Sequence, residues 1–134
     1  MFKELQYNLY NDMLNINKDI EIVKELVAKF YNIPKEALDR VKLKFKSLPI
    51  IFYKAGDYIK YVVKKIGLYY PDKKEINIEK NLPYYEKIKA LIHEYVHAAQ
   101  DYLGKIGRLS KKKIEEEAYI VTNYLSRIYK QVYL

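Results

Sequence analysis

The sequence predicts an α+β fold, and three observations predict it. Apolar residues recur at three- and four-residue steps toward both ends of the chain, they alternate every second residue in the middle, and four prolines and four glycines punctuate the segments. With 134 residues, half of them hydrophobic, the chain fits a single domain, residues 1–134, with a core of its own.

Residues 2–14 place Phe2, Leu5, Leu9 and Met13 at helical spacing. A second helix is expected from Asn17 as cap, with Ile20, Val23, Val27 and Phe30 as its buried stripe. From Arg40 the period changes to two: "VKLKFK" sets Val41, Leu43 and Phe45 on one face and Lys42, Lys44 and Lys46 on the other, a half-exposed strand. "IIFY" and "YIKYVVKK" are further strands. "IGLYYPDKKEINIEK" reads as a hairpin that turns at Pro71-Asp72, with Ile76 and Ile78 alternating beyond it. The middle of the chain is thus a small antiparallel or mixed sheet. After Pro83, the positions Ile88, Leu91, Ile92, Tyr95, Val96, Ala99 and Leu103 mark one long amphipathic helix closed by Gly104. A last helix starts at Ser110 as cap and carries Ile114, Ala118, Val121, Leu125, Ile128 and Val132 on one face.

Composition narrows the chemistry. Without cysteine there is neither a disulfide framework nor a thiolate metal site, so a metal must be held by His, Asp or Glu, as suits a reducing cytoplasm. The segment "MFKELQYNLYNDM" lacks the continuous apolar centre of a secretory signal, and no apolar run approaches the ~18 to 20 residues that cross a bilayer, so no membrane partner is expected. The net charge of +8 raises the possibility of a polyanionic partner. Its lysines, in "VKLKFK", "VVKKIG" and "SKKKIEEE", are spread as on a solvated surface and form no nucleic-acid module, so nucleic acid is not the expected partner. Abundant Lys, Glu, Ile and Tyr lean toward a heat-adapted source.

The two histidines of the whole chain both fall in "ALIHEYVHAAQ", residues 90–100. On a helix His93 and His97 stand one turn apart on one face, with Glu94 beside it: this is H-E-x-x-H, in which two histidines bind zinc and the glutamate is the general base toward water. The bland alternative is a half-buried helix with hydrogen-bonded histidines. Against it stand the exclusive use of histidine here, the hairpin before this helix, and the glutamates opening the next one.

A catalytic zinc site takes three protein ligands. Asp101, eight residues past His93, lies about 12 Å along the axis and is expected to be a solvated or supporting acid. A third histidine after a sharp turn is excluded, because Gln100 and Leu103 occupy the positions such a pattern needs. What remains is the run Glu115, Glu116, Glu117. Helical periodicity turns Glu116 away from the apolar face and leaves Glu115 and Glu117 on either side of it, one functional glutamate and two solvated ones being expected. The competing reading is a charged face in which Lys111, Lys112 and Lys113 pair with the three glutamates at four-residue spacing.

With "GLYYPDKKEINI", "HEYVH" and "EEEAY" in hand, the chain resembles a gluzincin zinc metallopeptidase, and by size the minigluzincins, over roughly residues 66–125. The resemblance implies a zincin-like fold with one Zn²⁺ held by His93, His97 and Glu115, since the ligand glutamate of many gluzincins lies three residues before a small residue, here Ala118. Where these families often carry an aspartate that supports a ligand histidine, this chain has Tyr119. The implied activity is that of an endopeptidase on extended peptide or unfolded protein. Glu94 would be the catalytic base, the strand of residues 75–79 would pair with substrate, and the donor to the oxyanion would be a Tyr, Lys, Arg or backbone N–H, with Tyr119 one guess. Two further readings stand beside it. One is a catalytically silent zincin-like module that binds protein or nucleic acid. The other is a latent enzyme whose tail, "RIYKQVYL", covers the cleft instead of completing the last helix.

Overall fold

The structure, a computed structural model, describes the backbone of residues 2–55 and 58–134 and the side chains of residues 16–50 and 65–134. The described residues form an α+β fold of four helices and five strands: α1 (Phe2–Tyr31), α2 (Lys35–Asp39), β1 (Lys42–Lys46), β2 (Ile50–Ala55), β3 (Tyr58–Lys64), β4 (Gly67–Tyr70), β5 (Glu75–Glu79), α3 (Tyr84–Tyr102) and α4 (Lys111–Tyr133).

The two helices expected at the start are one. No proline or glycine interrupts residues 2–31, and Asn17 sits exposed within a helix that continues on both sides of it. Val23 and Val27 are fully buried as expected, whereas Phe30 is nearly half exposed beside Tyr124. The stripe of Phe2, Leu5, Leu9 and Met13 lies outside the described side chains. The helix ends where Asn32 takes a left-handed conformation and the Ile33 N–H bonds back to the Ala28 carbonyl. The short α2 then follows Pro34, an element the periodicity does not reveal because it is only five residues long.

The strands divide into a three-stranded sheet ordered β1-β5-β4 and a separate antiparallel pair, β2-β3. The β4-β5 hairpin forms across the Pro71-Asp72 turn as expected, but β1 lies parallel to β5, so the larger sheet is mixed. Leu43, Ile76 and Tyr69 stand in one row across it, and Phe45, Ile78 and Gly67 in the next. Ile76 and Ile78 are fully buried in the core, with Leu43, Phe45 and Tyr69 packed against them. The alternate residues of β5 are buried too: Glu75 pairs with Lys44 at 3.0 Å, and Glu79 accepts from the Leu48 N–H at 2.7 Å. The central position of β5 accounts for this. It also overturns the expectation that residues 75–79 present a free edge. The edge strand beside α3 is β4.

Helix α3 packs against α1, α4 and the sheet, and its Ile88, Leu91, Ile92, Tyr95, Val96 and Ala99 are buried. Leu103 is not; it follows the helix, exposed, before Gly104 at φ 73°. Ser110 caps α4 by accepting from the Lys113 N–H, and Ile114, Ala118, Val121 and Leu125 are buried on one face. The segment "RIYKQVYL" continues this helix to Tyr133. Tyr129 is fully buried and donates to Asp19 of α1 at 2.7 Å, while Val132 and Leu134 are exposed. Glu115 lies eighteen residues from Tyr133, about 27 Å along the helix axis, so the tail does not fold over it.

Candidate metal centre

The site is made by α3 and α4, which pack against each other. Ala118 of α4 and Ala99 of α3 are fully buried, and Ala98 of α3 nearly so. Glu115, one turn before Ala118, therefore faces α3 at the level of His93 and His97. The turn between the helices, with Gly104 and Gly107 both at positive φ, returns the chain within the eight residues from Leu103 to Ser110.

The three side chains converge on one point. Their candidate ligand atoms all lie within 4.8 Å of one another. Glu115 Oε1 is 3.3 Å from His97 Nε2, and Glu115 Oε2 is 3.7 Å from His93 Nε2. Two donors about 2.1 Å from a tetrahedral cation stand about 3.4 Å apart, so these separations suit a cation between them, and an N₂O donor set suits zinc. The imidazole planes meet at 89°, with centroids 4.8 Å apart. Burial and the neighbouring His97 hold His93 below the ordinary imidazole range, against the opposing pull of Glu115, and a neutral imidazole is the form that binds metal.

Glu94, next to His93 on α3, packs against β4 of the sheet. It is buried, and the carboxyl is pushed up to about 8 by that burial and by the charge of Glu115, with Lys65 acting in the opposite sense. Gly67 of β4 makes the room: a Cβ there would stand 2.8 Å from Glu94 Oε2 and 2.9 Å from its Cγ. Gly67 shares the helix-facing row of the sheet with Ile78, so any side chain at this position would be aimed at Glu94.

The remaining expected residues have distinct places. Glu116 is exposed. Glu117 does not join the histidines directly but accepts from Tyr31 OH at 2.9 Å, Gln100 Nε2 at 2.8 Å and Lys105 Nζ at 2.8 Å. Burial alone would raise its carboxyl, but these donors outweigh burial and hold it below the usual range. Of the two glutamates left open by periodicity, Glu115 is the one brought to the histidines. The cation bound to Glu117 is Lys105 from the connection, not a lysine of the 111–113 run. Asp101 is no ligand: it accepts from Tyr69 OH and Lys74 Nζ, both at 2.6 Å, and fastens the end of α3 to the β4-β5 hairpin. Tyr119 is largely exposed at the rim, its ring 5.9 Å from that of His93.

Behind the histidines lie two residues that sequence reasoning missed as supports. His93 Nδ1 is 3.1 Å from Thr122 Oγ1, one turn past Ala118, and His97 Nδ1 is 2.8 Å from Gln100 Oε1. Gln100 is fully buried. A glutamine three residues after a histidine on one helix face is a signal of this kind, although a faint one. Beside His97 and Glu115 opens a cleft of about 350 Å³, walled by Tyr69, Pro71, Ile106, Leu109 and Ile114 with Lys111 at its edge.

No family model, no curated protein and no solved structure matches this chain. Among the described residues no helix is long and apolar enough to cross a membrane.

Proposed function

We propose that this chain is a zinc-dependent endopeptidase of the gluzincin type, acting on extended peptide or unfolded protein. The observation that carries the reading is the convergence of His93, His97 and Glu115 on one point, with Glu94 of the same helix buried against β4 and within reach of the charge of Glu115. His93, His97 and Glu115 would hold the ion. When bound, zinc acidifies a water molecule and polarises a substrate carbonyl.

The residues of the chain supply the rest. Glu94 takes the proton of the attacking water on its carboxylate and later delivers it to the amine nitrogen that leaves. Burial and the charge of Glu115 raise the affinity of Glu94 for a proton above that of an ordinary carboxylate, which favours its holding the proton between the two halves of that transfer. The free edge of β4 offers backbone groups to an extended peptide, and such pairing asks for no particular side chain. The apolar walls of the adjoining cleft give room to a side chain flanking the bond to be cut. Tyr119, exposed at the rim, is the candidate donor to the oxyanion.

The test is metal analysis with two variants. Purified protein should bind one zinc per chain, Glu115→Ala should lose most of that affinity, and Glu94→Gln should keep the metal while losing peptide hydrolysis by at least two orders of magnitude. Hydrolysis at wild-type rates in Glu94→Gln would exclude Glu94 as the base. Full zinc loading with no cleavage of unfolded proteins would instead favour a silent metal-binding module.

A further inference from the structure

We infer that Gln100 and Glu117 act as a pair of positioning residues that fix which nitrogen of His97 carries the proton, and thereby keep Nε2 free toward Glu115. The inference rests on the metal-site reading only for its functional consequence. The hydrogen-bond logic stands by itself.

Gln100 is fully buried and all of its amide is used. Its Nε2 donates to the Ile114 carbonyl at 3.1 Å and to Glu117 Oε2 at 2.8 Å. Both partners are acceptors and neither can donate, so the amide cannot turn over without setting its oxygen against two other oxygens. The orientation of the amide follows from chemistry, and its Oε1 must face His97 Nδ1 at 2.8 Å. A carbonyl oxygen only accepts. His97 Nδ1 must therefore carry the hydrogen, and in the neutral ring the lone pair is left on Nε2, the atom that stands 3.3 Å from Glu115 Oε1.

Glu117 is anchored in turn from two other parts of the fold. Tyr31, at the end of α1, donates to its Oε2, and Lys105, in the turn before α4, binds its Oε1. The second glutamate of the pair left by periodicity thus has a role distinct from the first: Glu115 faces the histidines, and Glu117 holds the residue that holds one of them. Among the described residues His93 has no equivalent device. Its Nδ1 meets the Thr122 hydroxyl, which can donate or accept and so leaves either tautomer possible.

The tautomers are read directly by long-range ¹H–¹⁵N spectra of the imidazoles in metal-free, ¹⁵N-labelled protein, above the pH at which the rings titrate. In the wild type His97 should be almost entirely the Nδ1–H form. Glu117→Leu frees one side of the amide and Gln100→Met removes it, and each should give His97 a mixture of tautomers. Glu117→Gln keeps an oxygen toward Gln100 and should restore the wild-type spectrum. Zinc affinity, measured by competition with a chelator, should fall roughly 10- to 100-fold in Glu117→Leu and Gln100→Met and stay near wild type in Glu117→Gln. Circular dichroism establishes that each variant is folded. If Glu117→Leu does not fold, Gln100→Met and the wild-type spectrum decide the matter. An Nε2–H form of His97 in the wild type, or an unchanged tautomer and unchanged affinity in the folded variants, overturns the inference. If the wild type binds no zinc yet shows the stated tautomers and their loss in the variants, the metal reading fails and the positioning role stands.

Discussion

At the scale of single residues, Glu94 is the side chain most sensitive to its surroundings. Its carboxyl is raised from 4.5 to about 8 in the metal-free fold, chiefly by burial. A carboxyl raised on folding loses stability as pH rises: the unfolded chain gives up this proton near pH 4.5, the folded chain only near pH 8, so the penalty grows across that window and is complete above it. Glu94→Gln removes the ionisable group while keeping its shape. It should stabilise the metal-free protein by about 1–3 kcal/mol at pH 8 and by much less at pH 5, as read from urea unfolding at the two pH values. Equal stabilisation at both would mean that the carboxyl is solvated. The neighbouring Gly67 belongs to the same account, since only the absence of a Cβ leaves room for this carboxyl against the sheet.

At the scale of elements, the geometry depends on how α3 is fastened at its C-terminal end. Asp101 collects Tyr69 of β4 and Lys74 of the hairpin turn on a single oxygen, and the Tyr69 phenol is half-buried there. Asp101→Ala should cost about 1–3 kcal/mol in chemical denaturation, mostly by leaving that phenol without its partner. Amide exchange should quicken in β4 and the turn, with zinc affinity nearly unchanged. A large loss of zinc affinity in the folded variant would mean that the acid acts on the metal after all.

Much of this level was legible in the chain. The turn at Pro71-Asp72, the cap at Ser110, the stop at Gly104 and the apolar face of α4 each follow from a local rule that a few neighbouring residues satisfy. The continuity of α1 was not, because Asn17 is a good cap yet also a tolerable interior residue, and only packing along the whole helix chooses between the two.

At the scale of the whole molecule, the proposed metal binding would be coupled to folding, since three helical positions from two helices meet only in the native state. Zinc at about 100 times its dissociation constant should stabilise the chain by about 2.7 kcal/mol. For a domain of this size that raises the melting temperature by on the order of 10 °C at pH 7.5, with a chelator reversing it. The increase should shrink as the pH falls, since protons compete with the metal for the ligand atoms. An increase that persists at pH 5, or that survives Glu115→Ala, would place the ion elsewhere.

The sequence by itself determined the chemistry of the candidate site and the local form of most elements. Two histidines a turn apart with a glutamate between them, no cysteine to compete, and a glutamate run opening the next helix are properties of spacing, and spacing within a helix converts directly into direction. What only the tertiary structure decided is which elements become neighbours. Strand periodicity sets the inward face of β1 and β5 but says nothing of their parallel pairing, which puts β5 in the middle and leaves β1 and β4 as the edge strands. Helical periodicity left Glu115 and Glu117 equivalent, and it was the packing of α4 against α3, with Tyr31 reaching over from the end of α1, that turned one toward the imidazoles and gave the other to Tyr31, Gln100 and Lys105. Direction along a helix is a short-range property of the backbone. Partnership across helices arises only when the core has closed.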